Sequence, residues 1–251
     1  YTYAKSLDNA SGQGGFDTTT ILGDQLDPRA NRGVSDFDLT HRFVLSYLLD
    51  LPRPAFASGS SVGRLLFSNW QVAGIITAMS GQPFDIVDTG AGSFYFGANS
   101  GLSRPNWAAG ATRDTATSNV PPGYFFNPFA FVRPVVQNGQ PIPSSNGTVF
   151  AGAQGTDIGN VGRNVLRGPR QTNVDFSVIR RFPLGEAKSI EFRAEFFNLF
   201  NHVNFDNPVS NLNAAGVDQS TGQIVNPGDF GRITSTSNNP RLIQFALKLN
   251  F

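Results

Sequence analysis

The sequence predicts an all-β chain: an antiparallel up-and-down transmembrane β-barrel segment of about six strands, an incomplete barrel, with long extracellular loops. Three observations predict it. Stretches of strict apolar/polar alternation recur along the chain, and the links between them alternate short and long. The composition is aromatic and turn-rich, with 23 Phe, 27 Gly and 16 Pro against one Met, and only 15% of the 251 residues are charged, where soluble domains carry roughly a quarter.

Alternation is cleanest at the end. Between Pro240 and Phe251, the residues Ile243, Phe245, Leu247, Leu249 and Phe251 alternate with Gln244, Ala246, Lys248 and Asn250. At about 3.3 Å per residue this stretch would be roughly 40 Å long and, tilted by about 45°, would rise some 28 Å, close to the apolar band of an outer-membrane barrel. An edge or sandwich strand would alternate identically; the terminal Phe favours the barrel.

A hairpin is written just upstream. Val174, Phe176, Val178 and Phe182 alternate with Asn173, Asp175, Ser177 and Arg181, a short turn spans Pro183 to Ala187, and Ile190, Phe192, Ala194 and Phe196 alternate with Glu191, Arg193 and Glu195. Centred near Gly185, it would bring Arg193 close to Ser177 and Asp175. One face is then apolar and the other a ladder of opposite charges, which suits lipid outside and water inside. No helix or second sheet is evident to cover the aromatic face.

Earlier in the chain, Phe37, Leu39, His41, Phe43, Leu45, Tyr47, Leu49 and Leu51 share one parity. Pro52 and Pro54 end that strand. Leu65 to Val87 reads as another, with Leu66, Trp70, Val72, Ile76 and Ala78 on one face and an interruption at Gly81 and Pro83 that a bulge would tolerate. Tyr1 to Leu7 reads as the tail of one more strand. Residues 52–63 and 183–187 make short links, whereas 8–36, 88–171 and 202–239 are long and polar. Such loops argue against a compact soluble domain; in a barrel the short links are periplasmic and the long ones extracellular. Six strands, one partial, are too few to close, since the smallest such barrels use about eight. With no basic-then-apolar leader, either a signal peptide lies upstream of this piece or the protein is not exported, and the missing initiator Met favours a fragment.

Composition also excludes. With 19 Lys plus Arg against 18 Asp plus Glu, a net charge of +1 has no field to gather nucleic acid. The absence of Cys removes disulfides, thiolate metal sites and cysteine nucleophiles. The longest apolar run, Val72 to Met79, contains Gly74 and Thr77 and is far short of the roughly 20 residues of a membrane helix, although a membrane strand needs only about 9 to 11. His41 and His202 lack the spacing of a metal motif. Asp175, Glu191 and Glu195 share a face with Arg181 and Arg193, a charge ladder rather than an acid–base pair. Gly159, Gly162 and Gly168 open no helix after a strand and read as loop glycines. The Asn and Asp residues of 201–229 lack the ordered spacing of a cation loop. No catalytic, metal or cofactor site is expected. The aromatics Trp107, Tyr124, Phe126 and Phe129 of the long second loop, with Phe125 and Phe131 beside them, are candidate ligand contacts; anchoring the loop upon itself is the favoured competing role.

Several stretches together resemble a known family. They are DFDLTHRFVLSYLLDLP (Asp36 to Pro52), WQVAGIITAMSGQPF (Trp70 to Phe84), YFFNPFAFVRP (Tyr124 to Pro134), GNVGRNVLRGPRQTNVDFSVIRRFPL (Gly159 to Leu184), IEFRAEFFNLFNHVNFDNP (Ile190 to Pro208) and the terminal RLIQFALKLNF. In order and spacing they resemble TonB-dependent outer-membrane receptors, particularly the Oar-like group with an N-terminal carboxypeptidase-regulatory-like domain. The resemblance implies a barrel of about 22 strands around a plug, with this chain, residues 1–251, as its C-terminal part, the plug domain absent, and TonB engaged only through that missing region. It implies uptake of an extracellular solute across the Gram-negative outer membrane, with outer-membrane lipid as the surroundings. It also implies that Ile243, Phe245, Leu247, Leu249 and Phe251 form the terminal signal read by the barrel-assembly machinery. Three alternatives stand beside it: a non-transporting adhesive or structural outer-membrane barrel, a soluble secreted carbohydrate-binding β-sandwich, and an enzymatic barrel, for which no nucleophile or metal set is found.

Overall fold

A computed structural model describes residues 1–9, 32–57, 59–89, 104–134, 159–185 and 188–251, with the backbone of 136–137 and 140–141. Much of the first two long links, and turn residues 186–187, therefore lie outside the described residues. Six strands form one antiparallel sheet: β1 (Thr2–Tyr3), β2 (His41–Asp50), β3 (Trp70–Met79), β4 (Gln171–Pro183), β5 (Ser189–Phe197) and β6 (Leu242–Asn250). Each lies beside its neighbours in sequence, β1 and β6 form the two edges, and the sheet is not closed. Among the described residues, no helix is long and apolar enough to cross a membrane. The fold is an antiparallel all-β meander, as alternation predicts.

Register sorts the side chains into two faces, because a strand's side chains alternate with period two. One row runs Tyr47, Gly74, Phe176, Phe196, Ile243 across five strands. The same face carries Phe43, Leu45, Leu49, Val72, Ile76, Val174, Phe192, Phe245, Leu247 and Leu249. A parallel row on the other face runs Leu48, Ala73, Ser177, Glu195, Gln244. There Glu191 accepts from Arg181 Nε and from Arg193, each at 2.9 Å, and Gln71 donates to Asp50 at 2.9 Å. Among the described residues nothing covers the apolar face: Phe245 is 68% and Leu247 72% exposed. A two-layer sandwich would bury them, and the described residues supply no second layer.

Four details differ from the sequence-based expectation. The hairpin is centred near 186, because Pro183 pairs with Ser189 and Leu184 N–H donates to the Lys188 carbonyl at 2.8 Å. Arg193 consequently faces Ile179, and Ser177 faces Glu195; the slip of two residues preserves both faces. Secondly, the strand expected from Leu65 begins at Trp70. Ser60 accepts from Gly63 N–H at 2.8 Å and caps a short helix, α1 (Ser61–Phe67), which takes up Leu65 and Leu66. That strand also stops at Met79, after which Pro83–Phe84 leaves to pair with Leu166–Arg167. Lastly, Phe37 and Leu39 precede β2, because Asp38 closes a turn onto the Ser35 carbonyl and is drawn into the loops.

The short links, 51–69 and 184–188, lie at one end of the sheet and the three long ones at the other. The buried hydrophobic core sits in the long links, not against the sheet. Phe126, Phe131 and Phe230 pack edge to face with ring centroids 5.1 to 5.8 Å apart, a favoured quadrupolar arrangement. Phe84, Ile86, Val161, Leu166, Leu212 and Ile224 complete this core. The described residues of the loops form a packed cap.

Candidate functional site: the loop cap and the cavity beneath it

Backbone hydrogen bonds stitch the long links together. Leu7–Asp8 pairs with Gly33–Val34 within the first. Val87 N–H donates to the Ser210 carbonyl at 3.0 Å and the Val87 carbonyl accepts from Leu212 N–H at 2.8 Å, joining second to third; Phe125 N–H to the Gly231 carbonyl, 2.7 Å, repeats the junction. Asparagines act as side-chain strand partners: Asn204 accepts from Thr172 N–H and donates to the Thr172 carbonyl, both at 2.8 Å. Asn198, at φ 51°, donates to the His202 carbonyl at 2.9 Å and receives His202 N–H at 2.8 Å.

Buried charges then lock the links. Arg133 makes a two-pronged contact with Asp88, 2.7 Å on each oxygen, and Asp88 is fully buried. Arg163 pairs with Asp8 and, at 3.0 Å, with Asp36; Asn164 donates to Asp36 at 2.5 Å and, through its N–H, to Asp85 at 2.6 Å. Arg167 pairs with Asp38. Arg104 lies 3.7 Å from Asp85. Burial tends to raise the Asp38 carboxyl, but donors from Arg167, Ser6 N–H and Thr40 outweigh it and hold it below the usual range. At Asp85 burial wins over the attraction of Arg104 and the pKa rises. Burial pulls Arg104 down against the pull of Asp85. Sequence reading missed this network; its one signal was a set of lone acids and arginines inside loops otherwise poor in charge.

Where cap meets sheet lies a cavity of about 460 Å³, lined by Leu39, Met79, Gln82, Phe205, Asp206 and Asn207 together with Ser80, Pro169, Gln171 and Ser237. Met79 and Gln171 belong to the polar face, so the cavity opens at the loop end of that face. Its rim depends on glycine: a Cβ at Gly81 would lie 1.8 Å from the Gly168 carbonyl oxygen. Among the described residues its walls mix apolar surface, amides, hydroxyls and one carboxylate without a cation, and its volume falls within the range of small-molecule sites.

The four loop aromatics fare differently. Phe126 is completely buried, with no surface for a ligand. Trp107 is partly buried and stacks on Phe131 at 5.0 Å. Tyr124 donates to the Gly228 carbonyl at 3.1 Å and carries the Arg232 guanidinium on its ring. Phe129 remains exposed. None lines the cavity. His41 accepts or donates at 2.8 Å with the Tyr1 hydroxyl beside the Tyr3 ring, an aromatic cluster at the loop end of the apolar face, while His202 is hydrogen-bonded through its backbone to Asn198 and Asn238. Asp175, Glu191 and Glu195 lie on one face with Arg181 and Arg193, as a ladder. Ile243, Phe245, Leu247 and Leu249 share the exposed apolar face of β6, and Phe251 follows it, also exposed.

An open antiparallel sheet with one apolar and one charged face, short links at one end and a folded cap at the other, defines a membrane β-barrel segment. The chain belongs to the outer membrane beta barrel domain family, which it matches over residues 1–244. No curated protein and no solved structure matches it.

Proposed function

We propose that the chain supplies strands and extracellular loops to a TonB-dependent receptor that imports a solute across the Gram-negative outer membrane. The observation carrying this reading is the cap: the described residues of the three long links, gathered at one end of the sheet, pack together above a cavity on the charged face. A passive structural barrel has no need of such a cavity, whereas a receptor needs a surface that meets solute before the lumen does. The chain is non-catalytic in this reading, and the solute makes contact through Phe205, Asp206, Asn207 and Gln82 rather than through the loop aromatics. TonB acts through a plug outside these residues, and the barrel-assembly machinery reads the alternating end of β6.

Deleting the gene from its bacterium and comparing accumulation of extracellular solutes with that in a TonB deletion tests the proposal. At least one uptake defect shared by both strains is expected. Full retention of every TonB-dependent uptake activity, with loss of surface attachment instead, would favour the adhesive barrel.

A further inference from the structure

On the apolar face, at the end where the short links lie, one residue breaks the pattern. Arg180 stands between Trp70 and Phe192 across the sheet, and its guanidinium carbon lies 5.0 Å from the Trp70 ring centroid and 4.2 Å from that of Phe182. It is 8% exposed, and its Nε has no hydrogen-bond partner. Among the described residues no carboxylate pairs with it; the arginine–carboxylate contacts of the hairpin all lie on the other face. A guanidinium facing hydrocarbon is costly unless an anion or the interface receives it. Arg180 lies three residues before the end of β4, about 10 Å of strand, where the apolar band gives way to headgroups.

The neighbouring link completes the setting. Trp70 Nε1–H donates to the Leu66 carbonyl at 2.8 Å, tying α1 to this face. Around that helix Phe56, Val62, Leu65, Leu66 and Phe67 are exposed, and Phe56 packs edge to face on Phe67 at 5.3 Å. Arg53 and Arg64 lie among them, hydrogen-bonded to the hydroxyls of Ser68 and Ser61 and to no acid among the described residues. Exposed apolar groups interleaved with uncompensated cations suit a boundary where acyl chains meet phosphodiesters.

We propose that Arg180, Trp70, Phe182 and α1 form a binding site for an anionic phospholipid of the leaflet facing the short links: the phosphodiester meets the Arg180 guanidinium, with Arg53 and Arg64 nearby, and the acyl chains lie along Phe192 and Leu247. The site rests on the membrane-spanning fold and not on any transport activity.

The test uses the full chain in neutral detergent micelles, with Trp107→Phe making Trp70 the sole tryptophan reporter. It is titrated with short-chain phosphatidylglycerol, with diacylglycerol of the same chains, and with inorganic phosphate. A saturable change in Trp70 emission is expected with phosphatidylglycerol at concentrations at least about tenfold below those needed for either control, which separates a lipid site from a greasy surface and from a free-anion site. Arg180→Leu, an exchange that a hydrocarbon-facing position favours, should fold with unchanged strand content and lose that tenfold preference. Arg53→Gln with Arg64→Gln should lose a smaller, salt-dependent part. Equal response to diacylglycerol, equal response to inorganic phosphate, or an Arg180→Leu titration matching the parent would each overturn the proposal.

Discussion

The ring of Tyr47 lies across Gly74 of the adjacent strand, so closely that a Cβ at position 74 would sit 2.6 Å from the phenolic oxygen. The two residues are directly paired in the β2–β3 ladder. A glycine weakens a strand, and an aromatic partner laid over it restores lost contact. Phe176 flanks Gly74 on the opposite side, so the glycine leaves room between two large rings in the middle of the apolar face. Gly74→Ala should therefore destabilise the sheet by about 1 to 3 kcal/mol through forced displacement of Tyr47. The urea midpoint in micelles reads it; a midpoint at or above the parent's would show that the ring moves aside freely.

The two faces should respond oppositely to charge. Phe245, stacked on Phe192 at 6.2 Å, points to the apolar side, so Phe245→Arg should cost about 2 to 4 kcal/mol near the bilayer midplane. Lys248 is exposed and stands opposite Glu191 in the ladder, while Glu191 keeps its ion pairs with Arg181 and Arg193, so Lys248→Gln should cost at most about 1 kcal/mol. Folding yield into lipid vesicles compares them, and equal losses would mean the stripe does not meet hydrocarbon.

Among the loop aromatics, anchoring and ligand contact separate by mutation. Phe126→Ala removes the central ring of the cap and should cost about 3 to 5 kcal/mol of cap stability, seen as rapid proteolysis within 104–134. Phe129→Ala removes an exposed ring and should leave the cleavage rate nearly unchanged. Similar rates for the two variants would deny the cap an independent core.

Acid acts on the cap through Asp38. Its carboxyl is depressed in the folded cap, so its contribution is complete above the ordinary carboxylate value and is lost as pH falls through the depressed one. Asp85 is raised, so its contribution is complete below the ordinary value and is lost as pH rises through the raised one. Protection of the Ser6 amide, which donates to Asp38 at 2.7 Å, should collapse in acid well below the usual carboxylate range. Asp38→Asn should weaken that protection at neutral pH and flatten its acid dependence. An acid limb that survives the substitution unchanged would assign it to another group.

Much of the sheet was legible in advance because a strand with one wet and one greasy side must write period two into its residues. The five long strands of the sheet follow from that alternation, whereas only Thr2–Tyr3 of the tail expected over Tyr1 to Leu7 joins the sheet; both faces are correctly sorted despite a two-residue slip in the hairpin register, since an even slip leaves parity intact. The edges of strands were less legible. Leu65 and Leu66 satisfy a strand's parity as readily as a helix's apolar side, and the Ser60 cap decided between them. Asp38 continues the alternation of β2 in sequence but is removed from it by Arg167.

What the residues alone determined is therefore the sheet: its strands, its two faces, the alternation of short and long links, and so the membrane-barrel class. The tertiary structure decided the cap, the cavity and the fate of Arg180, because each depends on contacts between segments far apart in the chain. The Asp88–Arg133 pair spans 45 residues and Arg163 reaches Asp8 across 155; no local periodicity encodes such distances. A loop's charges acquire their partners only once a sheet has brought the loop ends together.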